Sequence, residues 1–469
     1  MNFIFRCCTL VIIFCCVNKL HAHELPSISK TIISKSTEDI KDGIAETKFF
    51  SDLNLTQLIL KNGMTVWLKP TNFESDEIFI KLSALGGFAS LNATDRPSGE
   101  LAAQIAWESG LGELSTDQLS VLLYEHSLEL ATKIQPFSRI IEGTSGKEGL
   151  QEFLKCVNMI FTQHKLTEVG QKEALQNATK ILSKIDSDSE QTYENAFLQV
   201  NTQNPTFLTP LSAKKLRNVD LQKAKAFYEN CFTDPAPFAC IIVGSFQLDE
   251  AKKLINKYLS VIPKKNSIHF FQDNFAVVFP PKITHKVITL AGRLDSLTRI
   301  TFPLQTNLNE KNIPSMEFMC QIIEARLRAV ITSKMEYSHG VDVSYEFPLY
   351  PLLDNSWISI RYRCDILGVN QIKDLILKEL KMLQENGSVE QEMLEIKRLE
   401  SGSEEFWLRD NYYWISMLSN YYLWNWSPEQ IHKAESQTQN LTLDSINYML
   451  KTYFILSNYS VITGMPQKI

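Results

Sequence analysis

The order of predicted elements in this chain runs twice, and that most limits what it can fold into. Residues 57–61 and 64–69 (QLILK, MTVWLK) alternate apolar and polar and are joined by Asn62-Gly63, a dipeptide that turns hairpins because glycine accepts a positive φ. A strand at 77–84 closes on Gly86-Gly87, and helical spacing over 97–109 stops at Gly110. Ser115 with Gln118 reads as a capping box for a helix at 116–125. Strands at 127–134 and 138–143 follow, then helices at 147–161, 167–184, 188–201 and 220–231, a strand at 238–244 and a helix at 248–260. From 286 the order returns: strands 286–291 and 297–303, helix 312–333, and strands 340–347 and 356–364. Helices at 368–385, 389–402, 404–424 and 443–453 and a strand at 460–463 complete it. The pattern predicts an α+β fold of two similar domains, each an antiparallel or mixed sheet with helices packed on one face. The first spans 51–261 and the second 276–469, joined by a linker at 262–275 that has no regular periodicity. Residues 23–50, rich in Ser, Lys and Asp, read as a leader arm.

Residues 1–22 are of another character. Arg6 precedes the apolar run Cys7–Val17, and Ala22 offers a small residue for cleavage. The run falls short of the ~20 residues that span a bilayer, so a signal peptide is predicted. Cleavage after Ala22 implies export to a periplasm or the exterior with no stable membrane insertion, and an uncleaved anchor is the alternative. A net charge of −6 without a Lys/Arg stripe argues against a nucleic-acid partner. Beyond the leader, Cys156, Cys231, Cys240, Cys320 and Cys364 are too scattered for a disulfide framework. Cys231 and Cys240 are left either as a pair or, the favoured reading, as buried thiols.

Several strings, in order, resemble the insulinase/pitrilysin family of inverted-zincin peptidases. Residues 60–91 (LKNGMTVWLKPTNFESDEIFIKLSALGGFASL) are similar to the family's opening hairpin and Gly-Gly strand end. Residues 223–246 (KAKAFYENCFTDPAPFACIIVGSF) and 248–263 are similar to its helix–strand–helix passage, and Asn411, Trp414 and Leu418 to a helix near its end. The likeness covers the chain from about Thr56 onward and is nearest to the C-terminal, non-zinc half of long periplasmic members. It implies two such halves closing around a peptide, of which only the other binds metal.

The chemistry of active members is missing. They carry H-x-x-E-H on a helix, two imidazoles for zinc and a carboxylate to activate the metal-bound water. The matching stretch here, 99–110 (GELAAQIAWESG), has no His, and its carboxylates are Glu100 and Glu108. His126, His164, His269, His285, His339 and His432 lie far apart in sequence, and Glu125-His126 reads as a helix-end coincidence. No metal, cofactor or catalytic residue is therefore expected.

The family's second domain also lends an Arg and a Tyr to hold the substrate backbone and its developing oxyanion. The resemblance places Thr332 and His339 there, a weaker donor set. Thr332, His339 and Trp414 are the substrate-facing candidates. Nine aromatics between Phe406 and Trp426 are too many for one helical stripe, so they fill the interface between the two domains or meet a partner or peptide.

The resulting expectation is the non-catalytic, substrate-binding half of a two-chain exported zinc peptidase, partnered by a zinc-bearing subunit and holding extended peptides. A stand-alone peptide-binding or scaffold protein is the alternative. An active metalloendopeptidase with an unrecognised metal site is the least favoured.

Overall fold

The Asn62-Gly63 hairpin forms, and one strand more than expected precedes it. In the computed structural model, β1 (Ile44–Phe50) pairs antiparallel with β2 (Leu55–Leu60), which turns into β3 (Thr65–Pro70). The model describes residues 42–185, 188–203, 207–208, 211–265, 277–304, 308–334, 338–431 and 433–467. The proposed signal peptide, most of the leader arm and most of the linker lie outside these residues. β1 corrects the leader-arm reading of 44–50. It is an edge strand with most side chains exposed, held by backbone pairing, so it left no apolar alternation to read. At the hairpin, Gly63 takes φ +93° while the Asn62 amide donates to the Leu259 and Ile262 carbonyls at 2.8 and 3.0 Å. The turn is thereby tied to the end of a distant helix.

The first half continues through β4 (Ile78–Leu85), α1 (Arg96–Ser109), α2 (Thr116–Glu125), β5 (Glu129–Ile134) and β6 (Ser138–Ser145). Helices α3 (Leu150–Thr162), α4 (Glu168–Ile185), α5 (Ser189–Thr202) and α6 (Leu221–Phe232) lead to β7 (Ala239–Gly244) and α7 (Leu248–Tyr258). The second half holds β8 (Thr284–Leu290), β9 (Ser296–Pro303), α8 (Ile313–Lys334), β10 (Ser338–Glu346) and β11 (Trp357–Cys364). It ends with α9 (Val369–Asn386), α10 (Glu390–Trp407), α11 (Asn411–Leu423), α12 (Lys433–Gln439), α13 (Leu443–Tyr453) and β12 (Ser460–Pro466).

The two sheets share a topology. The first runs β1-β2-β3-β7-β4-β6-β5 and the second β10-β11-β9-β12-β8. Strand for strand, β3, β7, β4, β6 and β5 correspond to β8, β12, β9, β11 and β10. In each sheet one pair is parallel, β3 with β7 and β8 with β12, and the rest are antiparallel. Both sheets are mixed and the fold is α+β, as the doubled element order predicted.

Each sheet packs its own helices on one face. Leu58, Val66, Ile80 and Ile242 meet α1, α3, α4, α6 and α7 in one core, and Ile300, Phe302, Ile358 and Ile360 meet α8, α9, α10 and α13 in another. The opposite faces are covered by exchange. α11, from the second half, lies on the first sheet, where Tyr413, Trp414, Met417, Leu418 and Tyr421 pack with Leu55, Trp67, Ile241 and Val243. α5, from the first half, lies on the second sheet, where Tyr193 and Phe197 pack with Leu290, Leu297, Trp357 and Ile462. Polar contacts fix both placements. Tyr193 donates to the Ile462 carbonyl at 3.0 Å and Ser460 to Asn201 at 2.6 Å; Ser83 and Ser419 share a hydrogen bond of 2.9 Å. By position α5 and α11 are the same helix of the repeat. Most of the dense aromatic run is thus the inter-half packing, one of the two fates open to it in the sequence.

Candidate functional site

α1 stands at the position of the zinc-binding helix of active family members. It begins at Arg96-Pro97 and ends where Gly110, at φ +89°, leaves no room for a side chain: a Cβ there would sit 2.1 Å from the Leu114 carbonyl oxygen. α4 crosses its end at Gly170, where an added Cβ would sit 2.0 Å from Ser109 Oγ. That hydroxyl donates to the Ile105 carbonyl and accepts from the Thr167 amide, so the α1–α4 contact is close and polar.

Both α1 carboxylates are engaged within the protein. The Glu100 side chain, 8% exposed, accepts from Arg96 at 2.6 Å, while the Arg96 guanidinium lies 5.4 Å from the Phe88 ring centroid. Burial pushes the Glu100 carboxyl above its ordinary range, against the pull of Arg96 and Lys215. Glu108 accepts from Gln104 at 2.8 Å and from Asn177 of α4 at 3.0 Å. Where a zinc helix would present imidazoles, this one presents an internal ion pair and an amide–carboxylate–amide bridge. Among the described residues no three His, Cys, Asp or Glu side chains are placed to hold a metal ion.

The histidines are dispersed. His126 caps the end of α2, and His164 contacts the Phe232 carbonyl at 3.2 Å, with burial lowering its pKa. His285 lies on β8 beside Tyr459, and His269 and His432 are outside the described residues. All five described cysteines are buried free thiols, Cys231 and Cys240 included.

The three substrate-facing candidates lie on three elements, α8, β10 and α11. Thr332 is exposed in the last turn of α8, and His339 lies in the first residues of β10, its side chain outside the described set. Trp414 is 2% exposed: its indole donates to the Leu408 carbonyl at 2.9 Å, and the Lys69 ammonium lies 3.8 Å from its ring centroid. Its surface is taken up by the packing of α11 on the first sheet, which corrects its expected role toward substrate. Lys69 also donates to the Leu53 carbonyl at 2.6 Å, and burial lowers its pKa to about 8.

A polar cluster beneath α5 had no counterpart in the sequence reading. Arg299 of β9, 2% exposed, donates to Ser359 at 3.0 Å and to Glu194 of α5 at 3.3 Å, and pairs with Glu346. Glu346 also accepts from Arg361 at 2.5 Å and from the Trp357 indole at 2.9 Å. Burial alone would raise the Glu346 pKa, but Arg299 and Arg361 outweigh it and hold the carboxyl below its usual range. The first sheet carries a smaller parallel on β4, β6 and β5, where Glu142 binds Lys133 at 2.5 Å and Lys81 at 3.7 Å. The available signal was an arginine inside an otherwise uncharged strand (SLTRITFP), which needs buried partners.

Comparison with known proteins places this arrangement. Residues 218–400 match the family described as the Peptidase M16 inactive domain. A zinc protease PqqL-like protein of Arabidopsis thaliana is 25% identical over 389 residues, spanning 79% of this chain and 37% of that protein. The periplasmic protease PqqL from Escherichia coli superposes with a TM-score of 0.78 at 17% identity, over 96% of this chain and 49% of that one. The peptidase M16 inactive domain from Pseudomonas fluorescens gives a TM-score of 0.73 at 12% identity, over 89% of this chain and 98% of its own. The chain thus spans less than half the length of the first two. These matches bear out the resemblance to the insulinase/pitrilysin peptidases.

Proposed function

We propose that this relative of the M16 peptidases is the non-catalytic, peptide-holding half of a two-chain exported zinc peptidase. A separate zinc-bearing subunit would perform hydrolysis, and this chain would complete the chamber and hold extended peptides. One observation carries the reading. The scaffold is intact in both halves, while the helix at the metal position has its carboxylates committed to Arg96, Gln104 and Asn177. A self-contained ion pair at this position serves packing and offers no metal chemistry. Thr332, in the last turn of α8, and His339, in β10, remain the residues to test for contact with substrate. The apolar leader Cys7–Val17 supports export, and no helix among the described residues is long and apolar enough to cross a membrane.

The test is reconstitution. The purified chain is mixed with a separately produced H-x-x-E-H-bearing chain from the same source, followed by size exclusion, metal analysis and a peptide-cleavage assay. Co-elution, zinc only in the partner, and cleavage that needs both chains are expected. No association and no gain in cleavage would reject the proposal, and stoichiometric zinc in this chain alone would revive the metallopeptidase reading.

A stand-alone peptide holder is the second reading. Its support is that, among the described residues, no strand pairs with the outer edges of β5 and β10. Such edges accept an extended peptide by strand addition. Peptide binding by the chain alone, with no partner chain captured, would favour it.

A further inference from the structure

The aromatic run is not wholly consumed by the inter-half packing. At the N-terminal end of α11 the buried cluster reaches the surface in a rim of half-buried Phe73, Phe79, Trp407 and Leu408. Beyond them Phe406 is 68% exposed and Tyr412 54% exposed. Two ring pairs mark the rim: Tyr412 meets Phe79 edge-on at 6.2 Å between centroids and Phe406 meets Trp407 at 5.4 Å, with Phe79 and Trp407 packed against the same buried cluster. Leu399, two turns before Phe406 on α10, is exposed on the same side of that helix.

The loop before β4 lies alongside. Asn411 donates to Glu77 at 3.3 Å and accepts from Thr71 at 2.7 Å, which places residues 71–77 at the start of α11. Glu74 and Asp76 are exposed, Glu77 is half-buried, and Asp410 caps α11. The Lys147 backbone amide donates to Asp76 at 2.7 Å, and Arg409 adjoins Asp410 in the sequence. An exposed aromatic rim edged by carboxylates is complementary to an apolar segment carrying Lys or Arg, whose ammonium or guanidinium can lie over the rings or against the acids.

We propose that this rim is the docking surface for a basic, amphipathic segment of the zinc-bearing subunit. The inference rests on the two-chain reading above and assigns the contact within it. The surface is continuous with α11, so a partner seated there would bear on the helix that joins the two halves.

The test uses the full chain and two variants, Phe406→Ser/Tyr412→Ser and Glu74→Gln/Asp76→Asn. The exposed side chains make these changes tolerable to the fold, with unchanged thermal midpoints as the check. A labelled amphipathic Leu/Lys peptide and its Leu/Glu counterpart serve as probes in fluorescence anisotropy. The Leu/Lys peptide should bind at least about tenfold tighter than the Leu/Glu one, and the aromatic variant should weaken it about tenfold. The acidic variant should flatten its salt dependence. Equal binding of the two peptides, or variants that bind as wild type, would overturn the proposal. The same variants are then mixed with the zinc-bearing chain. Wild-type association with undiminished association of the aromatic variant overturns the docking surface and leaves the two-chain function standing. Absence of association by the wild-type chain rejects the function itself.

Discussion

Leu418→Ala tests whether the exchanged helices make the two halves one cooperative unit. Leu418 belongs to the second half, yet it is 0% exposed within the cluster that α11 forms on the first sheet. Truncating a fully buried leucine costs about 3 kcal/mol, through lost transfer energy and the cavity left behind. In a unit of 150–250 residues each kcal/mol moves the midpoint by about 2–4 °C, so a half unfolding alone would shift by about 6–12 °C. If the halves unfold together, the unfolding entropy roughly doubles, and one transition should fall by only about 3–6 °C. Differential scanning calorimetry, with far-UV circular dichroism as a second probe, distinguishes the cases. The expected result is a single transition, shifted by the smaller amount and coincident by both probes. Two transitions, one of them unmoved by the substitution, would refute the claim that exchange couples the halves.

Further outcomes follow from the buried polar groups. Arg299→Met should destabilise the chain by about 3–5 kcal/mol in urea unfolding, because Glu194 and Glu346 lose a buried cation. A loss under about 1 kcal/mol would mean that water, not Arg299, compensates those carboxylates. Lys69 predicts a pH signature: burial holds its folded pKa near 8, below the unfolded value of 10.5. Between those values the unfolded state binds the extra proton, so this residue's contribution to stability rises with pH across the window. Wild type minus Lys69→Met should therefore slope upward from pH 8 to 10.5, and a flat difference would contradict the burial. Cys156, Cys231, Cys240, Cys320 and Cys364 should react with a thiol reagent only on unfolding, and non-reducing peptide mapping should find no Cys231–Cys240 bridge.

Much of the fold was legible because its signals are local. The Ser115–Gln118 capping box forms as read, and α2 spans Thr116–Glu125. Glycine punctuation at Gly63 and Gly110 marks positions that demand positive φ. Readings failed where the deciding contact is distant. β1 is held by backbone pairing at an edge, which periodicity cannot register. The break before α11 was expected at 403 but falls at 408–410, where Asp410 caps the Tyr413 amide at 2.8 Å, a signal hidden by the aromatics on either side. Of the candidate site, the composition of α1 was readable and the fate of its carboxylates was not. Arg96 at the position four before Glu100 is visible in the sequence, but Asn177 reaches Glu108 from a helix 69 residues away.

The exchange of α5 and α11 explains why Trp414 misled. Trp414 reads as available for substrate because the aromatics around it exceed what one helical stripe can bury. Its burial comes from the other half's sheet, through Lys69 and the cluster around Trp67. The repeat makes the arrangement reciprocal. Each sheet has one face its own helices leave uncovered, and the third helix after the fourth repeat strand covers the other half's sheet in both cases, α5 with the stripe Tyr193 and Phe197 and α11 with a largely apolar surface. Exchanging the two buries both faces at once, and neither copy can be covered without the other. The surface left for function is therefore what the exchange does not reach: the sheet edges at β5 and β10, the exposed end of α8 at Thr332, and the rim at Phe406 and Tyr412. A functional role for this chain has to be sought there, not in the buried aromatic helix that first drew attention.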